Sequence, residues 1–167
     1  MASLGLRGGK QDPETAWRVA PYGGGGAFGL VAHDPQDHEA IDLAMRTFQQ
    51  MQRDGSWGID RVLDRTQLQE AKAYSNCFAA VSMQSGFLVD AGDSGPWISS
   101  ASRSGSHGYF PGAKDMDATF AAMGPGIPHV RLPRGHLVDV AATVAHLLGI
   151  EMNHTEGLDL LAKRPSK

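Results

Sequence analysis

Phe78-Ala79-Ala80-Val81-Ser82-Met83-Gln84-Ser85-Gly86-Phe87-Leu88-Val89-Asp90 sets two apolar runs on either side of a Gln-Ser-Gly turn signal. Runs of this length meeting at a glycine turn predict a hairpin, residues 78–83 followed by 87–90. A hairpin contributes at least one antiparallel pair, so the sheet that contains it is not purely parallel. Upstream, Tyr22 runs into Gly23-Gly24-Gly25-Gly26, and Ala27-Phe28-Gly29-Leu30-Val31-Ala32 then has the short apolar character of a buried strand. Asp34-Pro35 predicts a helix start, with aspartate as cap and proline in the first turn, and Ile41, Ala44, Met45, Phe48 and Gln52 follow at helical spacing until Asp54-Gly55. Residues 59–63 read as a short strand and 66–71 as a brief helical turn.

Downstream of the hairpin, residues 91–108 shift to Gly, Ser, Asp and Pro, a composition that forms a long surface loop because it has little side chain to bury. Met116, Ala118 and Phe120 alternate as a strand does, and Gly124-Pro125-Gly126 closes it with a turn. A last helix starts at Asp139, places Val140, Val144, Leu147 and Leu148 on one face and stops at Gly149. Asp139 there reads as a helix cap, a role that stabilises a helix by about 1 kcal/mol. Helices alternating with short strands give an α/β class with α+β character, a mixed sheet with packed helices. Residues 1–15 read as a disordered lead-in, 16–162 as one domain and 163–167 as a tail.

At 167 residues the chain is long enough for one domain with a real core. Hydrophobic residues at 41 % and charged residues at 20 % place it away from disordered acidic chains, and no apolar run approaches the roughly 18 residues of a membrane-spanning helix. A net charge of -3 with scattered Lys and Arg is the wrong sign and pattern for a phosphate backbone, so neither nucleic acid nor membrane is expected as a partner. Residues 1–10 lack the apolar core of a secretory signal, which as written implies the cytoplasm. Cys77, the only cysteine, reads as a small core residue.

Gly24, Gly26 and Gly29 match the spacing of a dinucleotide-binding loop, but the glycines precede a strand, whereas phosphate binding there needs a helix N-terminus directly after the last glycine. Ser94 in Gly92-Asp93-Ser94-Gly95-Pro96 misses the nucleophile-elbow spacing. Asp37-His38 points to two faces of a helix and makes no metal pair. His33, His38, His129, His136, His146 and His154 are isolated and read as solvated or hydrogen-bonded side chains, and a triad from Ser106, His107 and a distant aspartate is disfavoured because sequence neighbours rarely face each other. His107, in Gly105-Ser106-His107-Gly108-Tyr109, ends the polar loop between two glycines. Locally it is first a turn residue; as a ligand of a divalent ion it needs roughly two or three further ligands from elsewhere.

The ordered series from Gly105 to Pro111, then Met116-Asp117-Ala118-Thr119-Phe120, Gly124-Pro125-Gly126-Ile127, the run from Val138 to Ile150, and Glu156-Gly157 resembles the C-terminal end of the type I phosphodiesterase/nucleotide pyrophosphatase family, in the alkaline phosphatase superfamily. The stretch from Trp17 through the first helix and the hairpin is similar to the segment preceding that end. The resemblance implies the C-terminal part of an alkaline-phosphatase-like fold and of a metal-dependent phosphodiester or pyrophosphate hydrolase. It also implies that His107 ligates one ion of a two-zinc centre. The family's nucleophile, its first metal-binding aspartate and its Asp-His-Gly motif have no counterpart here, and Ala142 stands where the family has proline before Thr143. The expected partners are therefore an N-terminal half or further copies of the chain, with a phosphoester substrate once the site is completed. The alternative is a non-catalytic folded module that oligomerises or binds a partner.

Overall fold

The computed structural model describes residues 17–89, 96–101, 105–113, 116–132 and 134–162. The lead-in expected at 1–15 and the tail expected at 163–167 lie outside them, as does Ser94. Contacts divide the chain into two compact units, residues 1–117 and 118–167.

The first unit is a four-stranded antiparallel sheet with helices, an α+β arrangement. In chain order it contains β1 (Val19–Tyr22), β2 (Ala27–Ala32), α1 (His38–Asp54), β3 (Ile59–Asp64), α2 (Arg65–Glu70) and β4 (Ala79–Met83). The strands lie in the order β1-β2-β4-β3, and every pairing is antiparallel. Alternation along the strands sends side chains to two faces. Phe28 and Leu30 of β2 join Ala79, Val81 and Met83 of β4 and Ala40 and Ala44 of α1 in one cluster. Ala27, Ala80, Leu68 of α2, Cys77 and Phe110 form the other. In β3 a bulge between Ile59 and Arg61 changes the alternation, so that Ile59 lies in the α1-side cluster while Leu63, four residues on, lies in the other.

The expected hairpin is realised only in its first arm. β4 turns at Ser85-Gly86, but Val89 pairs with Gly25 ahead of β2, because both edges of β4 are already taken by β2 and β3. The first helix starts later than its proline suggests. Asp34 caps a preceding turn through the Gln36 N–H, and Asp37 is the N-cap, accepting from Ala40. Gly55 ends the helix in a left-handed conformation, φ 75°.

In the second unit, α3 spans Leu137–Leu148, two residues earlier than expected, with Gly149 as its left-handed C-cap. Asp139 caps from inside the first turn, accepting the His136 N–H at 2.7 Å. The alternating segment at 116–120 is irregular, with Phe120 exposed and, among the described residues, no strand paired with it. The buried side of α3 is Asp139, Ala142, Thr143 and Ala145, while Val144, Leu147 and Leu148 of the expected apolar face are exposed. The returning chain explains the reversal. Leu158 N–H donates to Asp139 Oδ1 at 2.8 Å and Leu160 N–H to Thr143 Oγ1 at 2.9 Å. Gly157 lies so close that a Cβ would sit 2.1 Å from the Val138 carbonyl oxygen.

Candidate functional site

His107 is exposed on a short segment that is anchored two and three residues further on, at Tyr109 and Phe110. Tyr109 packs against the α1-side cluster, and Phe110 is buried in the α2-side cluster. Alternation alone sends the pair to opposite sides, and together they fix where the chain leaves the core. Upstream of them the segment lies on the glycine run. The Gly26 N–H donates to the His107 carbonyl at 2.8 Å, and Gly25 exchanges hydrogen bonds of 3.1 and 2.8 Å with Val89.

This approach accounts for the glycines in physical terms. A Cβ on Gly25, whose φ is 87°, would lie 2.7 Å from the His107 carbonyl oxygen, and one on Gly26 would lie 2.3 Å from the Tyr109 ring. Only a residue without a side chain leaves that room. Gly29 serves the opposite need inside β2, where Cys77 Sγ would be 2.3 Å from an added Cβ. The run that matches a nucleotide-binding spacing is therefore a seat for residues 106–109. Its sequence signal was the absence of a helix after the last glycine; nothing in the sequence named the segment that would occupy it.

The other titratable groups are placed as follows. His33 meets the Trp17 ring edge-on with centroids 4.8 Å apart, His146 Nδ1 pairs with Asp159, and His136 is the N-cap of α3. His38 opens α1, and His129 and His154 are exposed. Ser106 Oγ turns to the His107 carbonyl, at 3.5 Å, and not to its imidazole, so the two do not form a nucleophile and base. Arg18 grips Asp37 with two hydrogen bonds, 2.7 and 2.6 Å, and reaches Glu39 at 2.9 Å. The guanidinium, together with the Ala40 N–H, holds the Asp37 carboxyl down at about 2. Burial pushes the Cys77 thiol up, and Arg65 opposes that shift only in part.

An open groove of about 430 Å³ is lined by Asp60, Arg61, Met83, Ser85 and residues 111–113. Its cation, Arg61, is paired with Asp60 at 3.0 Å and lies 5.9 Å from the centre of the Phe110 ring, so its charge is already engaged. Among the described residues no three or more His, Cys, Asp or Glu side chains converge. His107 thus fits one donor position of a metal centre, and the described residues do not build a two-ion centre around it. No protein-family model, no curated protein and no solved structure matches this chain.

Proposed function

We propose that the chain is the C-terminal part of a metal-dependent phosphodiester or pyrophosphate hydrolase, to which it contributes His107 as one zinc ligand. The nucleophile and the other ligands come from an N-terminal half, in the same polypeptide or in a partner. The observation that carries this reading is the seated segment. The backbone of His107 is tied to Gly26, the residues after it are anchored on both faces of the sheet, and its imidazole is left exposed. The ordered motifs from Gly105 to Gly157 support the same assignment. A completed two-ion centre would stabilise the charge of the transferring phosphoryl group. The part played by this chain is to hold an imidazole nitrogen at a fixed place.

Zinc content and diester hydrolysis, measured together on pure protein, test the reading. The chain alone is expected to bind zinc weakly through His107 and to leave bis(p-nitrophenyl) phosphate intact. Combined with a polypeptide carrying an Asp-His-Gly motif and a metal-bound nucleophile, it should give zinc-dependent hydrolysis that His107→Ala abolishes. Equal zinc binding by the wild type and His107→Ala would overturn the ligand role. Stoichiometric zinc with turnover by the chain alone would overturn its incompleteness.

A second reading, a non-catalytic module that oligomerises or binds a partner, draws on α3. Leu137, Val144, Leu147 and Leu148 are 84 %, 44 %, 44 % and 66 % exposed, and an apolar helix face left in water marks an interaction surface. This reading expects a folded, metal-free protein whose mass in solution exceeds that of one chain.

A further inference from the structure

We propose that Tyr109 is the positioning residue for His107, and that Gly26 is the seat that lets it act; the inference rests on the ligand role proposed above. A metal ligand has to be held within about half an ångström of its place to be useful, and an exposed side chain on a loop has no packing of its own to hold it. For His107 the restraint has to come through the backbone. The structure supplies it through the carbonyl of His107 itself and through the residues that follow.

Tyr109 makes two contacts of different kinds. Its ring lies directly over Gly26, where a Cβ would be 2.3 to 2.5 Å from three ring carbons, and its hydroxyl donates to the Phe87 carbonyl at 2.7 Å. The Phe87 ring is itself laid over Gly58, where a Cβ would come within 2.2 Å, and the Phe87 N–H is bonded to the Gln84 carbonyl at the end of β4. The chain of restraint thus runs from β4 through Phe87 to the Tyr109 hydroxyl. From Tyr109 it reaches His107 across Gly108, whose φ of 81° suits the turn. Within the same stretch the carbonyl of His107 itself is bonded to Gly26, the residue beneath the tyrosine ring. Ring and carbonyl close on one glycine, so rotation about the 107–109 backbone would break both contacts at once. A tyrosine serving only to fill space would need its ring and not its hydroxyl. The bond to Phe87 fixes the direction of the ring, and that is the requirement of aim.

Amide pseudocontact shifts on the full-length chain, with Co²⁺ alone as the probe, test this, and a His107→Ala sample subtracts the contribution of the other histidines. Wild type should show Co²⁺-dependent shifts at Gly24, Gly25 and Gly26 that His107→Ala lacks. Tyr109→Phe keeps the ring on Gly26 and removes only the hydroxyl bond, so it should fold and melt like the wild type, still bind Co²⁺ at His107, and lose those shifts through averaging. Shifts of undiminished size in Tyr109→Phe would overturn the proposal. Backbone ¹⁵N relaxation of residues 106–108, recorded without metal, reads the aim separately. Order there should fall in Tyr109→Phe, and unchanged order would again overturn the positioning role. Should wild type and His107→Ala give identical Co²⁺ shifts, the ligand role itself fails, and the relaxation data still decide whether Tyr109 fixes the segment.

Discussion

At the scale of single residues, the glycines separate into those that bear a neighbour and those that do not, and substitution to alanine should show the difference. Gly26→Ala drives a methyl into the Tyr109 ring, and Gly29→Ala drives one against Cys77 Sγ. Overpacking of this kind typically costs about 1–3 kcal/mol. Gly105→Ala meets nothing within 4 Å, so its unfolding midpoint in urea should stay at the wild-type value. Relief by a second change identifies the cause. Removing the sulfur in Gly29→Ala/Cys77→Ala should recover part of the stability lost by Gly29→Ala, because the two changes share one contact. Cys77 offers an independent check on the same packing. It is 1 % exposed and its thiol is pushed up by burial, so it should resist disulfide reagents in the folded protein and react promptly in denaturant.

At the scale of elements, the start of α1 depends on a carboxylate that is both cap and ion-pair partner. Asp37 accepts from Ala40 within the helix and from Arg18 just ahead of β1, linking the sheet edge to the helix. Its carboxyl is lowered to about 2 from 3.8, so the folded state favours the ionised form. The contribution is complete above the ordinary carboxylate value and is lost as pH falls from there through about 2. Thermal melts of Asp37→Asn, which keeps a capping oxygen but no charge, should show less destabilisation between pH 4 and pH 2 than the wild type does. α3 presents a different balance. Thr143 is fully buried, donating to the Asp139 carbonyl at 2.7 Å while accepting from Leu160 at 2.9 Å. Thr143→Val keeps the shape and leaves both backbone groups without that partner, a loss of about 1–3 kcal/mol in the unit that holds α3. Strand edges complete the element scale. β1 carries Pro21, which offers no N–H, and β3 carries its bulge with Gln52 Nε2 donating to the Asp60 carbonyl, so neither edge is a ready template for a neighbouring strand.

At the scale of the whole molecule, what the sequence made legible was local, and what it hid was who meets whom. β2, α1, β3, α2 and the two left-handed C-caps follow from apolar spacing and glycine placement, and they lie within a few residues of expectation. The second arm of the hairpin escaped because a turn signal at Ser85-Gly86 does not say that β4 has both edges occupied. The buried face of α3 escaped because its burial is set by Gly157, Leu158 and Leu160 arriving from further along the chain, not by the helix's own apolar stripe. His107 was legible as a residue to watch, and its seat on Gly25 and Gly26 was not, since that contact joins positions some eighty residues apart. Hydrogen exchange should map this distinction. Leu30, Ala79, Ala80 and Val81 are wholly buried at the centre of the sheet, and their amides should exchange only on opening of the whole sheet. Residues 118–132 are irregular and mostly exposed, so their amides should exchange by small local openings, many orders faster. The Gly26 amide is the informative one between these extremes, because it belongs to no strand ladder and is bonded only to the His107 carbonyl. Protection there close to that of Leu30 would show that the His107 segment opens only with the sheet, and protection close to that of residues 118–132 would show that the seat lets go on its own. The two anchors at Tyr109 and Phe110 favour the first outcome, and Phe110→Ala, which removes one of them and also core packing, should speed exchange at the Gly26 amide by more than it speeds exchange at Leu30.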